Sequence, residues 1–198
     1  MLLGSGTEAG VRRLLTTIAG FDDAPFPAGY EGRVAVAGTV YAGLTLNGVL
    51  LGDVEKDGRD AAERLAAMVA GSRFAPVVQL VMLQGITMGG FNVVDVLGLH
   101  ARLSRPVLVL ARKQPDRASI RRALLEKVPG GREKWALIER LGPMEPVGQV
   151  FVQRVGLSLE EAEAAVRRTA VEGSIPEPLR VAHLIAGAVA EGQSRGRA

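Results

Sequence analysis

The 198-residue sequence contains no cysteine. Disulfides, zinc–thiolate centres and cysteine nucleophiles are therefore excluded. Histidine is scarce as well: His100 and His183 are the only two, and they stand far apart in the chain. Any metal site should then rest mainly on carboxylates and suit a hard cation such as magnesium or manganese. No apolar run is long enough to span a bilayer. Arg12 and Arg13 are not followed by an apolar segment and a small-residue cleavage site in signal-peptide order, so a cytoplasmic protein with no membrane partner is expected. Internal repeats, low-complexity linkers, a Walker lysine pattern and a dinucleotide fingerprint are all lacking.

Apolar residues make up 47% of the chain, which rules out a disordered polypeptide. The length suits one domain over residues 1–198, with a polar tail at 192–198 expected to fray. A net charge of +3 is a weak signal for nucleic acid. Arginine greatly outnumbers lysine and is paired at Arg12-Arg13, Arg121-Arg122 and Arg167-Arg168. Guanidinium forks suit phosphates, but solvated helix faces account for the same pairs.

Residues 11–21 read as a first strand ending at Asp22-Asp23, and residues 24–32, with Pro25, Pro27, Gly29 and Gly32, as a loop. Residues 33–41 and 44–54 alternate like strands, with a bend or bulge at Asn47-Gly48. Together these runs predict a β-meander. A turn at residues 56–60 leads into a helix on which Ala62, Leu65, Ala66 and Val69 recur at helical spacing. The apolar runs at 77–83 and 106–111 suit buried parallel strands. Between them, a Gly89-Gly90 turn leads into a helix over about 92–103. A basic helix is expected at 116–128, helix or strand at 133–141, and a strand at 149–154. Ser158 and Glu161 form a capping box that opens a helix to about Thr169, and Pro176-Glu177-Pro178 starts the last helix. A meander followed by βα units gives an α/β fold: a mixed sheet with helices on both faces, its sites gathered at the carboxyl ends of parallel strands.

Polar residues collect at those ends. Asp22 and Asp23 close the first strand, Gln84 and Thr87 the central one, and Arg112-Lys113 the next; Asp57 and Asp60 precede the first helix, and Asn92 and Asp95 the second. Adjacent carboxylates on a strand point to opposite faces. Of Asp22 and Asp23, one suits a cation and the other a cap on loop amides; on spacing alone, both also suit a turn before Pro25. Gly89-Gly90 suits either a phosphate-binding turn or a tight strand-to-helix connection. Asp95 suits a ligand or a first-turn helix acid. His100 and His183 read as hydrogen-bonded helix residues.

The segments GFDDAPF, DGRDAAERL, GITMGGFNVVD, PVLVLARKQPD and SIPEPLRVAHLIA resemble the archaeal endonuclease dU family, which is related to endonuclease V. The resemblance runs over about residues 15–195. It implies a ribonuclease H-like (endonuclease V-like) fold and metal-dependent cleavage of DNA or RNA near a deaminated base, with Mg2+ or Mn2+ as cofactor. By position it makes Asp22 a metal ligand, Asp60 (with Asp57 as the lesser choice) a second ligand, and Arg112, with Lys113 beside it, the phosphate contact. The place of a third aspartate is taken by Gln84 in VMLQG; Asp23 and Asp95 are the candidates to compensate. The late histidine of endonuclease V has no counterpart in VGLSLEEA, and the base-wedging Pro-Tyr-Ile-Pro segment is missing. An amide binds a hard cation through oxygen but brings no charge. Two functions are compatible with this set: a metal-dependent endonuclease, or a non-catalytic nucleic-acid-binding or scaffold protein with a degenerate metal site.

Overall fold

The computed structural model describes residues 13–194; Arg12, the start of the expected first strand, and the end of the expected tail lie outside them. Burial on both faces sets the first strand. β1 (Thr17–Asp23) is buried from Ile18 to Asp22 and takes in Asp22 and Asp23, which extend the strand instead of following it as a turn. β2 (Arg33–Ala42) and β3 (Thr45–Glu55) complete the meander by antiparallel pairing. The pairing passes from Val40↔Gly48 to Tyr41↔Leu46, so Asn47 is the extra residue of a bulge, where the turn-prone Asn-Gly pair placed it.

α1 (Ala61–Ala70) crosses to β4 (Leu80–Gln84), which lies parallel to β1. The 77–83 run is strand only from Leu80; Val77 and Val78 are tied into the preceding turn by hydrogen bonds to the Phe74 carbonyl. The glycine turn does not enter a helix directly. Gly89 and Gly90, both at positive φ, close a hairpin of β5 (Thr87–Met88) and β6 (Asn92–Val93), and α2 (Val96–Leu103) starts later than its apolar content implied. β7 (Val107–Ala111) returns parallel to β4. α3 (Arg117–Lys127) comes next, and the ambiguous 133–141 stretch is helical, as α4 (Gly131–Leu141). A short β8 (Glu145–Val147) precedes β9 (Val150–Val155). α5 (Leu159–Thr169) carries the expected capping box, the Ser158 hydroxyl and the Glu161 carboxylate each accepting the other's backbone N–H, worth about 1 kcal/mol. α6 (Glu177–Glu191) begins at prolines that suit a helix's first turn.

The main sheet has seven strands in the order β3-β2-β1-β4-β7-β9-β8. Alternate side chains divide it into two faces. Phe21, Leu83 and Val109 pack with Leu65 and Val69 of α1 and Leu99 of α2. Ile18, Met82, Leu108 and Leu110 pack with Ala165 of α5 and Leu179 of α6. A third cluster joins Val93 and Leu124 to Trp135 and Ile138 of α4. The expected α/β architecture, a mixed sheet with helices on both faces, is the one observed.

Candidate active site at the carboxyl edge of the sheet

Strand parity assembles the site. Ile18, Leu80, Met82, Leu108 and Leu110 all face α5 and α6. With a period of two, Asp22, Gln84 and Arg112 continue those rows at the carboxyl ends of three adjacent parallel strands. β1 and β4 are in register up to Phe21↔Leu83, so Asp22 and Gln84 come one step further along.

α6 closes over them. Gly20 pairs with Thr39 directly under the start of this helix. A Cβ on Gly20 would lie 2.6 Å from the backbone of Pro178, and the Thr39 hydroxyl donates to the Pro178 carbonyl at 2.7 Å. So seated, α6 turns His183, Gly187 and Glu191 towards the strand ends, a stripe at i, i+4 and i+8. Together with Asp22, Asp23, Gln84, Arg112 and the Ala24–Phe26 loop they line a cavity of about 680 Å3.

Asp22 is 5% exposed. His183 Nδ1 lies 2.8 Å from its Oδ2, and the Asp23 backbone N–H donates to its Oδ1 at 3.0 Å. Asp23 Oδ2 accepts the Gly89 N–H at 2.9 Å. One carboxyl therefore meets the helix and the other pins the β5–β6 hairpin, the division expected of adjacent strand residues. Burial, together with repulsion from Asp23, raises the Asp22 carboxyl to about 6, against the pull of the His183 hydrogen bond. Burial raises Asp23 too. Gln84 Oε1 is buried and has no hydrogen-bond partner.

These observations bear on metal binding. The cavity offers hard oxygen donors: the carboxyls of Asp22, Asp23 and Glu191 and the orphaned amide oxygen of Gln84. That set fits a hard divalent cation such as Mg2+ or Mn2+. Among the described residues, however, no group of three or more acidic, histidine or cysteine side chains is close enough to form a metal cluster. Gln84, at the tip of β4, brings an oxygen donor without charge.

Four expected site residues lie elsewhere. Asp60 is spent on structure: Oδ1 accepts the Glu55 N–H and the Asn92 amide, and Oδ2 accepts Arg33. Burial pushes its pKa up, but those hydrogen bonds outweigh it and leave the group below its ordinary value. Asp57 sits at positive φ, accepts the Phe91 N–H and pairs with Lys56. Asp95, the expected compensating carboxylate, caps α2 through the Gly98 N–H and pairs with Arg140, away from the cavity that Gln84 lines. Lys113 is exposed and does not line the cavity that Arg112 lines. The Gly89-Gly90 turn spends an amide on Asp23. His100 bonds the Arg105 carbonyl, as a helix histidine should. His183 is hydrogen-bonded as expected, but its partner is Asp22. A late histidine is therefore present in the site, contributed by α6 and not by the segment before α5. Its signal in the sequence was the His183–Gly187–Glu191 spacing.

A family model described as endonuclease dU matches residues 15–190. A UPF0215 protein of Deinococcus radiodurans is 54% identical over 183 residues, which cover 92% of this chain and 93% of that one. A crystal structure of a protein of unknown function from Archaeoglobus fulgidus matches with a TM-score of 0.81 at 32% identity, covering 87% of this chain and 97% of the other. Endonuclease V of Ciona intestinalis, crystallised with a 24mer DNA containing an inosine followed by a ribo-adenosine, matches with a TM-score of 0.54 at 14% identity over 84% and 82% of the two chains. At that identity the likeness is one of fold: the sheet is ribonuclease H-like. No helix among the described residues is long and apolar enough to cross a membrane.

Proposed function

Because the chain belongs to the endonuclease dU family, we propose that it hydrolyses a phosphodiester in DNA or RNA near a deaminated base. The observation that carries this reading is the pairing of buried Asp22 with part-exposed His183, set in one cavity with Gln84 and Arg112 at the ends of three parallel strands. A hard divalent cation, Mg2+ or Mn2+, would be held by Asp22, Asp23 and Gln84, and would supply positive charge to the phosphate. Asp22 orients His183 through Nδ1, which leaves Nε2 as the ring's proton acceptor. A water beside Nε2 gives up a proton to it as the water oxygen attacks phosphorus, and the P–O bond to the sugar breaks, the sugar oxygen taking a proton from solvent as it leaves. The Arg112 guanidinium, at the tip of β7, suits a non-bridging phosphate oxygen. Endonuclease V in the Ciona complex holds inosine-containing DNA on the same fold, which supports a nucleic-acid partner here.

The test is purified protein on uracil- and inosine-containing strands with magnesium or manganese, beside Asp22→Asn and His183→Ala. Cleavage by the parent chain and loss of about 100-fold or more in each variant is expected. No cleavage with either metal, or undiminished cleavage by Asp22→Asn, overturns the reading. The uncharged Gln84 amide at the cavity, with no three acidic or histidine side chains grouped to hold a metal among the described residues, favours the second reading, a nucleic-acid-binding protein without turnover. Salt-dependent binding without cleavage would mark that outcome.

A further inference from the structure

The positive charge of the protein is concentrated in one segment. Residues 112–127 hold six cations against two acids. That excess is larger than the +3 of the whole chain, so the remainder is slightly acidic. The segment starts at Arg112, which lines the large cavity, and runs on into α3.

Ion pairing sets these cations apart. Arg13, Arg33, Arg64, Arg140, Arg154 and Arg180 each meet a carboxylate at 2.6–2.9 Å. Among the described residues, Arg121, Arg122 and Lys127 meet none. Asp116 lowers its own pKa partly through Arg122, but only at a distance. Its oxygens are spent on the helix start: Oδ1 accepts the Ala118 and Ser119 N–H groups, and Oδ2 the Ser119 hydroxyl. Glu126, four residues beyond Arg122, is exposed and forms no ion pair with it.

α3 is held firmly from behind. Ile120, Leu124 and Val128 pack with Trp135 and Ile138 of α4. Arg117 donates to the Gly142 carbonyl at 2.9 Å, with its guanidinium 5.3 Å from the Trp135 ring centroid. With that face turned inward, Arg121, Arg122 and Lys127 are exposed. Arg117 and Arg121 are like charges at i, i+4, an arrangement that disfavours a helix. No carboxylate among the described residues meets Arg121 to offset it; a polyanion laid along the helix would.

Composition selects the occupant. Residues 112–128 contain no Phe, Trp or Tyr. Surfaces that bind single strands interleave cations with aromatic platforms on which bases stack. A surface of cations alone suits backbone phosphates. The 11 residues of α3 run about 16 Å, over which one strand of a duplex presents roughly five phosphates. We propose that the exposed face of α3 is a rail for the phosphate backbone of a nucleic-acid duplex, leading it to the cavity at Arg112. The proposal deepens the nucleic-acid reading of that cavity and rests on it. The rail touches phosphates and not bases, so it adds affinity without sequence preference.

The test replaces Arg121, Arg122 and Lys127 together by glutamine, a good helix former. None of the three lines the cavity. The probe is a blunt, unmodified, dye-labelled DNA duplex of about 20 base pairs, titrated by anisotropy from about 50 to 200 mM salt without divalent metal. The slope of log affinity against log salt should become shallower by about 2–3, at about 0.9 for each lost phosphate contact. Binding at the lowest salt should weaken about tenfold or more. Arg121→Lys with Arg122→Lys, which keeps both charges, should retain the slope. The parent should bind the duplex more tightly than the matching single strand. An unchanged slope in the triple variant marks a merely solvated helix face and overturns the proposal, as does a parent that prefers the single strand. Cleavage of uracil- and inosine-containing strands with Mg2+ or Mn2+ is scored separately. A shallower slope with no cleavage by the parent would leave the rail standing and sink the hydrolytic reading. Cleavage with an unchanged slope would do the reverse.

Discussion

Gly20→Ala is the substitution that most directly probes how the large cavity is built. The added Cβ would stand 2.6 Å from the carbonyl carbon and oxygen of Pro178 and 2.7 Å from its Cβ. Backbone cannot rotate away as a flexible side chain can, so α6 must lift by about 0.8 Å to reach ordinary contact at 3.4 Å. A lift of that size stretches the Thr39–Pro178 hydrogen bond from 2.7 Å and the His183–Asp22 bond from 2.8 Å towards 3.6 Å, beyond bonding range. Overpacking and one weakened buried hydrogen bond together cost about 2–3 kcal/mol. For a chain of this length that lowers the melting temperature by roughly 5–10 °C. Urea denaturation measures the energy, and nitrogen correlations of the two histidine rings measure the geometry. His183 should change its ring signals while His100, bonded to Arg105, keeps its own. Thr39→Val separates the terms by removing the hydroxyl without the clash; it should cost about 1 kcal/mol and leave His183 in place. Gly20→Ala with an unchanged midpoint and unchanged His183 signals would refute the idea that this close approach seats the helix.

Two further outcomes rest on electrostatics. Arg13 beside Glu161 holds that carboxyl down at about 2, against an ordinary 4.5. A depressed folded pKa gives stability that is present above pH 4.5 and lost as pH falls through about 2. The arginine is half exposed, so screening leaves on the order of 1 kcal/mol; Glu161→Gln should lose it at pH 7 in urea titrations, and the difference from the parent should shrink below pH 4 and close near pH 2. Gln84→Glu restores a carboxylate of nearly the same shape beside Asp22 and Asp23. It should tighten Mn2+ binding about tenfold or more, read from free Mn2+ by electron paramagnetic resonance; an unchanged affinity would mean that Gln84 faces no ion.

Much of the fold was legible because burial leaves a periodic trace. The apolar runs of β4 and β7, the alternation of β2 and β3, the Asn47 bulge and the Ser158–Glu161 box each depend on a few neighbouring residues. The site was legible only where strand ends meet. Asp22, Gln84 and Arg112 sit at such ends, whereas Asp60 and Asp95 occupy helix starts, where the same carboxylate serves equally as a cap. The partnership of His183 with Asp22 spans 161 positions. It depends on how closely α6 approaches β1, and that distance is written in a residue with no side chain. The β5–β6 hairpin escaped sequence reasoning because two glycines at positive φ signal a turn but do not distinguish a strand from a helix after it.

β3 lies at one margin of the sheet and pairs with no further strand among the described residues. Its outward Val49 and Leu51 are exposed, Leu51 by 62%. A bare apolar margin is where two copies of a protein zip together. Here the bulge at Asn47 breaks the margin at one end, and the Arg33–Asp53–Arg64 ion network covers it with charge at the other. The stretch left between them, Gly48 to Gly52, is bounded by glycines, which weaken a strand's pairing. The molecule thus carries its own guard against growing into a fibre, and that guard, rather than any feature of the cavities, bears on how concentrated a solution it tolerates.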